Sequence, residues 1–416
     1  MQLLFLHQKF PGQFRHLGPA LVKRGHQVQA LSIHTTPNEQ LALGSRGVEV
    51  QTYQPKRGST ADIHPGLIDF ETKVIRAEAC MRAMRVLSAQ GFTPSAIVAH
   101  PGWGESLFAK QIWPGVPLGL YAEFFYHPTG VDVDFDPEFP VADPDGEACR
   151  LRLKNAHNLL NFQDAAAGIS PTRWQASLFP APFRDRITVV HEGVDTEVLR
   201  PNAVAEWRLQ NGQVLTHADE VVTFVGRNLE PYRGYHIFMR ALPALLRARP
   251  NARVLVVGGD GVSYGAAPPL GTTWKQHFID EIRPEIGDDD WARVHFVGNL
   301  SYQSFIALLQ LSTVHVYLTY PFVLSWSLLE AMSCGCAVVG SNTAPLREVM
   351  ENGYNGRLID FFDSAALTDT VCELLDDPVQ RRKLSLNARQ KIRECYDLDS
   401  VCLPRQVAWV EALASS

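Results

Sequence analysis

Short, largely apolar runs separated by helix-like stretches recur along almost the whole chain. This alternation constrains the fold more than any single residue. MQLLFLH (1–7) has the character a buried parallel strand needs. The loop QKFPGQF follows, and HLGPALVKRG reads as a helix stopped by Gly25. HQVQALSI (26–33), SAIVAH (95–100), VPLGLYAEFF (116–125) and AAAGIS (165–170) continue the series. The second half repeats the plan with EVVTFVG (220–226), ARVLVVGG (252–259), ARVHFVG (292–298), TVHVYLT (313–319) and CAVVGS (336–341). Helices are predicted over 236–250, 302–311, 326–333 and 364–376. Such alternation points to α/β domains on parallel sheets. A chain of 416 residues exceeds one ordinary core, so two domains are expected.

RITVVHEGVDTEVLRP (186–201) runs a strand into a Gly–Val–Asp turn and a proline, which suits a hinge. The expected division is therefore 1–185 with the C-terminal helix 399–416, and 186–398. The tail LDSVCLPRQVAWVEALASS reads as a helix interrupted by Pro404, whose spaced Val, Trp and Leu need a surface to pack on. It is expected to cross back to the first domain. Two doubly wound domains facing each other would leave a cleft at the carboxyl ends of both sheets, the usual ligand position in such folds.

Composition removes several function classes. A net charge of −6 leaves no basic footprint for nucleic acid. No apolar stretch approaches the ~20 residues that span a bilayer, and MQLLFLHQKF is too short and too polar to read as a secretory leader. The seven cysteines show no metal-ligand spacing, and Cys334 and Cys336 read as small residues in a helix-to-strand connection. A reducing cytoplasm is the expected compartment.

GRNLEPYRG follows the strand at 220–226. Arg227 and Arg233, bracketing its turn, would suit a diphosphate through bidentate, charge-assisted bonds; the plainer reading is two solvated loop cations. Gly226 and Gly234 would allow close backbone approach. In PFVLSWSLLEAM (321–332), a helix starting near Leu324–Trp326 would point free N–H groups at an anion. Glu330 lies too deep for a phosphate but could accept two hydrogen bonds from a vicinal diol such as ribose. VDVDFD offers a D-x-D pair, Asp132 and Asp134, but in an acidic, Pro-rich insertion. These acids read as solvated loop charges, and the insertion as a shaper of the acceptor pocket.

GRNLEPYRGYHIFMRALPALLRARPNARVLVVGGDG resembles the donor-domain core of retaining, family-four glycosyltransferases with the GT-B fold. So does HFVGNLSYQSFIALLQLSTVHVYLTYPFVLSWSLLEAMSCGCAVVGSNTAPLREVMENGYNGRLID. ISPTRWQASLFPAPFRDRITVVHEGVDTEVLRP is similar to that family's interdomain segment, and PGQFRHLGPALVKRGHQV to its first loop and helix. The resemblance is strong over about 165–398 and weaker but collinear over 1–120. It implies transfer of a sugar, with retention and without a metal or other cofactor, from a UDP or GDP sugar to a glycan, lipid-linked or small-molecule acceptor. Peripheral association with the inner face of a membrane is compatible with it. Arg227 matches the arginine on the donor diphosphate, and Arg233 stands where the family usually has Lys. Gly12 matches the first-loop glycine that lets backbone approach the donor or acceptor, and Glu330 matches the second, ribose-holding acid of the E-x7-E motif. Asn299 and Leu300 fall where main chain contacts the base, while Ser325, Trp326 and Ser327 open the anion-facing helix.

Two departures stand out. The first acid of E-x7-E, which contacts the donor sugar, is replaced by Phe322; Ser325 and Ser327 are substitutes only if they are not spent on capping. Where many relatives carry a histidine near the reacting carbon, this chain has Glu123, followed by Tyr126 and His127. Glu123 reads as a general base or hydroxyl anchor, or as the partner of a nearby cation. His100, in AHPGWGES, sits at another strand end on the acceptor side, where a structural role is equally in keeping. A nucleotide-sugar epimerase of the UDP-N-acetylglucosamine 2-epimerase type, or a non-catalytic nucleotide-sugar-binding protein, remains as the alternative.

Overall fold

A computed structural model describes residues 1–416. It forms two units, Met1–Gly193 with Leu398–Ser416, and Val194–Asp397.

The first unit is built on seven strands: β1 Gln2–Leu6, β2 Gln27–Ser32, β3 Val48–Thr52, β4 Ala96–Ala99, β5 Leu118–Tyr121, β6 Ala167–Ser170 and β7 Ile187–Val189. They pair in the order β3-β2-β1-β4-β5-β6-β7, all parallel. Alternate residues of β1 serve opposite faces, as the two-residue strand period requires. Leu4 and Leu6 pack with Cys80, Met84 and Leu87 of the helix Ile68–Ala89. Leu3 and Phe5 pack with Phe14, Leu17 and Leu21, and with the C-terminal helix Leu403–Ala414 through Trp409, Val410 and Leu413.

That terminal helix belongs to the first unit. Pro404 stands in its first turn, where a missing N–H costs nothing, so it begins the helix rather than interrupting it. Gln406 donates to the His191 carbonyl at 2.7 Å, and Glu411 accepts from Arg24 at 2.7 Å. Gly119 of β5 admits the helix closely: a Cβ there would lie 2.6 Å from the Trp409 ring. The division between units falls after Gly193, not at 185/186, because Ile187–Val189 is not a linker strand. It extends the first sheet by pairing Gly168 with Ile187 and Ser170 with Val189.

The second unit carries a short hairpin, β8 Trp207–Arg208 and β9 Val214–Leu215, and a six-stranded parallel sheet. The sheet comprises β10 Val221–Asn228, β11 Arg253–Gly259, β12 Val294–Gly298, β13 Val314–Tyr317, β14 Ala337–Ser341 and β15 Arg357–Ile359, in the order β12-β11-β10-β13-β14-β15. In each sheet the strand order reverses beside its first strand, between β1 and β4 and between β10 and β13. Carboxyl ends at such a reversal are where open α/β sheets bind ligands.

Burial lowers the pKa of His7 to about 3, of His157 to about 3, of His191 to about 4 and of His315 to about 3. Each is neutral when folded but takes a proton when unfolded below the ordinary histidine value of 6.5. Their stabilisation is thus complete above that value and falls as pH drops towards the folded pKa, by roughly 1.4 kcal/mol per pH unit for each group. Calorimetry from pH 7 to 5 should show a falling unfolding temperature, and a flat profile would count against it. Trp409→Ala should cost about 3–5 kcal/mol through loss of the terminal helix's main anchor, read as a lower urea midpoint; an unchanged midpoint would show that the helix does not brace the sheet.

Candidate functional site

In the second unit, the tail of β10 and the loop after it carry both arginines. Arg227 is exposed and lines a cavity of about 470 Å3 with Asn228, Asn299, Leu300, Tyr302 and Phe305. Arg233 closes the short turn Pro231–Arg233. Gly234 follows with φ 68°, and a Cβ there would lie 2.3 Å from the Leu318 side chain, so glycine is required to start the helix Tyr235–Ala248. Arg233 is no loose loop cation. Its guanidinium donates to Thr319 Oγ1 at 2.8 Å and to the Val323 carbonyl at 3.3 Å, and lies 5.6 Å from the Tyr264 ring centre. This ties it to the end of β13, at the reversal of the sheet.

The helix Trp326–Cys334 begins beside that group. Ser325 caps it, its Oγ accepting from the Ser327 N–H at 3.4 Å, while its own N–H donates to Tyr317 Oη at 3.0 Å. The Ser325 and Ser327 hydroxyls lie 2.9 Å apart. These bonds favour capping over a substitute sugar contact. Trp326 is exposed in the first turn, and Glu330 follows one turn on, partly exposed, its Oε1 accepting from the Tyr302 hydroxyl at 2.9 Å. Gly298, at φ 68°, turns the chain after β12 and delivers Asn299 and Leu300 to the cavity. Sequence reasoning missed Tyr302 and Phe305. Two aromatics three apart on the helix right after the Asn299–Leu300 turn were the available signal.

Phe322 is buried, 5.6 Å from the Tyr232 ring and 4.8 Å from that of Tyr264. Two residues before Tyr232 stands Glu230, fully buried, whose Oε2 accepts from the N–H groups of Ser263 and Tyr264 at 3.0 Å each. Burial raises its pKa above the ordinary carboxylate range despite those two bonds and Arg233. Here an acid holds the Gly-rich loop that carries Tyr264, and a ring fills the space beneath it.

The first unit has its own polar group at the carboxyl ends of β1 and β4. The His7 Nδ1 accepts from the Lys9 N–H at 3.0 Å, so the Nε2 carries the proton and donates to Gln13 Oε1 at 2.9 Å. Gln13 Nε2 in turn donates to Glu123 Oε1 at 2.9 Å. His100 Nδ1 accepts from Gly102 N–H at 3.1 Å, turning Nε2 towards Glu123 Oε2 at 3.3 Å. Burial works to raise the Glu123 pKa, but His100 and then Gln13 outweigh it and hold the carboxyl below its usual value. Gly12, at φ 46°, lies against His7, where a Cβ would sit 2.4 Å from the ring.

Gly12, His100 and Glu123 therefore come together, with His7 and Gln13 as members the sequence reading missed. His7, the last residue of the first apolar run, was the signal for them. Tyr126 and His127 are engaged elsewhere: Lys154 Nζ lies 3.8 Å from the Tyr126 ring centre, and His127 Nε2 bonds the Leu178 carbonyl at 2.8 Å. The D-x-D acids are not both solvated. Asp132 is buried, while Asp134 is exposed at φ 58°.

Phe322→Glu, which writes the family's acid back, should fail to restore a sugar contact. It places a carboxylate among Tyr232 and Tyr264 and should cost at least about 3 kcal/mol. Urea unfolding together with sugar-nucleotide titration checks this; a stable variant with tighter donor binding would show that the ring is a simple loss of the acid.

Residues 24–199 match a family model described as Glycosyl transferase family 4 group, and residues 206–391 one described as Glycosyl transferases group 1. A D-inositol 3-phosphate glycosyltransferase of Thermobispora bispora is 24% identical over 417 residues, 88% of this chain and 90% of that one. Other curated relatives match about half of this chain, which spans about half their length. Among solved structures, sucrose-phosphate synthase from Thermosynechococcus elongatus aligns over 100% of both chains with a TM-score of 0.74 at 19% identity. Anabaena Alr3699/HepE in complex with UDP-glucose aligns over 100% of both chains with a TM-score of 0.68 at 18% identity. These structural likenesses carry the fold, two Rossmann-like domains of the GT-B type. With one family model over most of each unit, the chain belongs to the family-four glycosyltransferases.

Proposed function

We propose that this chain moves a sugar from a UDP or GDP sugar to a hydroxyl acceptor, with retention of configuration and without a metal. One observation carries the reading: Arg227, Arg233, the capped start of Trp326–Cys334 and Glu330 are gathered at the carboxyl-end reversal of one parallel sheet. Two guanidinium groups and the positive dipole end of a helix suit a diphosphate. A carboxylate one turn deeper suits a ribose diol. The HepE protein of the same fold was solved in complex with UDP-glucose, which supports a nucleotide-sugar donor.

In the proposed reaction, negative charge grows on the departing diphosphate, where Arg227, Arg233 and the positive end of the helix dipole stabilise it. The acceptor oxygen bonds to the anomeric carbon as the bond to the phosphate oxygen breaks. That phosphate oxygen takes the acceptor's proton on the same face, giving retention. Glu123, braced by His100 and Gln13, supplies an acceptor for a sugar hydroxyl. A cytoplasmic site of action fits this donor chemistry, and no helix is long and apolar enough to cross a membrane.

The test is a panel of UDP and GDP sugars with and without hydroxyl acceptors. Nucleotide release that depends on acceptor is expected. Donor epimerised in its absence would favour the epimerase, and tight binding without turnover would favour a binding protein, the reading that Phe322 keeps alive. Arg227→Ala should lower turnover by roughly 10²-fold; unchanged kinetics would overturn the diphosphate assignment.

A further inference from the structure

We propose that Tyr302 is a positioning residue that holds the Glu330 carboxylate ready for a ribose diol, and so sets a preference of this chain for ribonucleotides over deoxyribonucleotides. The inference rests on the nucleotide-sugar reading above and adds to it a residue that the sequence motifs do not include.

Four features of the fold place Tyr302 for this task. It is the first residue of the helix Tyr302–Leu311, whose start is fixed by Ser301 Oγ accepting from the Ser304 N–H at 3.1 Å. Its ring lies at 28° to that of Phe305 with centroids 6.1 Å apart. Its hydroxyl donates to Glu330 Oε1 at 2.9 Å, across to the helix Trp326–Cys334. Tyr302 also lines the same cavity as Arg227, Asn299 and Leu300.

An unrestrained glutamate samples many rotamers, and binding must immobilise it. A bond from a phenol carried on the capped first turn of the neighbouring helix lowers that cost before ligand arrives. An ionised carboxylate accepts about four hydrogen bonds, so the phenol and two diol hydroxyls can be accommodated together. A phenol can only help in this way when the ligand engages Glu330. If Tyr302 served instead as a wall of the cavity, its effect would be the same for any sugar in the nucleotide.

The experiment uses the whole chain and calorimetric titration with UDP and GDP, and with their 2′-deoxy and 3′-deoxy analogues. Wild type should bind the ribonucleotides more tightly. Tyr302→Phe keeps the ring and should cut the ribo-to-deoxy affinity ratio by about 3- to 10-fold, the size expected for freeing one side chain. Affinity for the deoxy analogues should hardly move. Equal weakening of ribo and deoxy ligands by Tyr302→Phe, or an unchanged ratio, overturns the proposal while leaving the ribose role of Glu330 intact, provided that Glu330→Ala abolishes the preference. If Glu330→Ala also leaves the ratio unchanged, the ribose assignment fails and the positioning role with it. A thermal unfolding curve for each variant confirms that it is folded.

Discussion

The reversal of strand order in each parallel sheet is the constraint on which the rest of the structure depends. At β10 and β13, neighbouring strands send their chains away to opposite faces, so the loops after them part and leave their carboxyl ends uncovered. Side chains that would be solvated elsewhere are held there by the fold. Arg233 is the clearest case, since Thr319 and the Val323 carbonyl, both beyond the end of β13, hold a cation that arises beyond the end of β10. His7 and His100 follow β1 and β4 in the same relation, and both bear on Glu123. The two units thus concentrate polar chemistry at equivalent places, for the same topological reason.

The exchange of acid for ring at Phe322 follows from packing as much as from chemistry. A carboxylate at that position would need hydrogen-bond donors, and its neighbours are Tyr232 and Tyr264. The local amide donors are already used by Glu230 on the facing loop. The ring and Glu230 are therefore best read as one unit, a buried acid that fixes the loop and an apolar residue that supports it.

The alternation of strands and helices was legible because buried parallel strands are nearly all apolar. β3 and β15 were not, since VEVQT at a sheet edge and the three-residue RLI carry too little of that pattern. The helix Pro378–Cys395 was missed because it buries only Leu384, Ala388 and Ile392 beneath a strongly basic surface. At the site, Arg227, Glu330, Asn299 and Leu300 were legible as a motif in order along the chain. Tyr302, His7 and Gln13 were not, because their roles come from contacts 28, 6 and 110 residues away in sequence. A single Tyr or Gln has no local pattern that announces such a partner. Pro404 misled in the opposite direction: proline breaks a helix interior but starts a first turn, and only the helix boundary decides between them.

Glu123 illustrates how environment narrows a role that residue type leaves open. A general base works best with a pKa near the operating pH, so an active-site carboxylate used that way is normally raised by burial. Here burial pushes upward, but His100 and the Gln13 amide prevail and hold the carboxyl below its ordinary range. Burial holds the His7 pKa near 3, and its Nε2–H supplies Gln13 with a hydrogen bond. A carboxylate in that state is a weak base that stays ionised and can still accept a hydrogen bond. It can fix a hydroxyl without removing its proton.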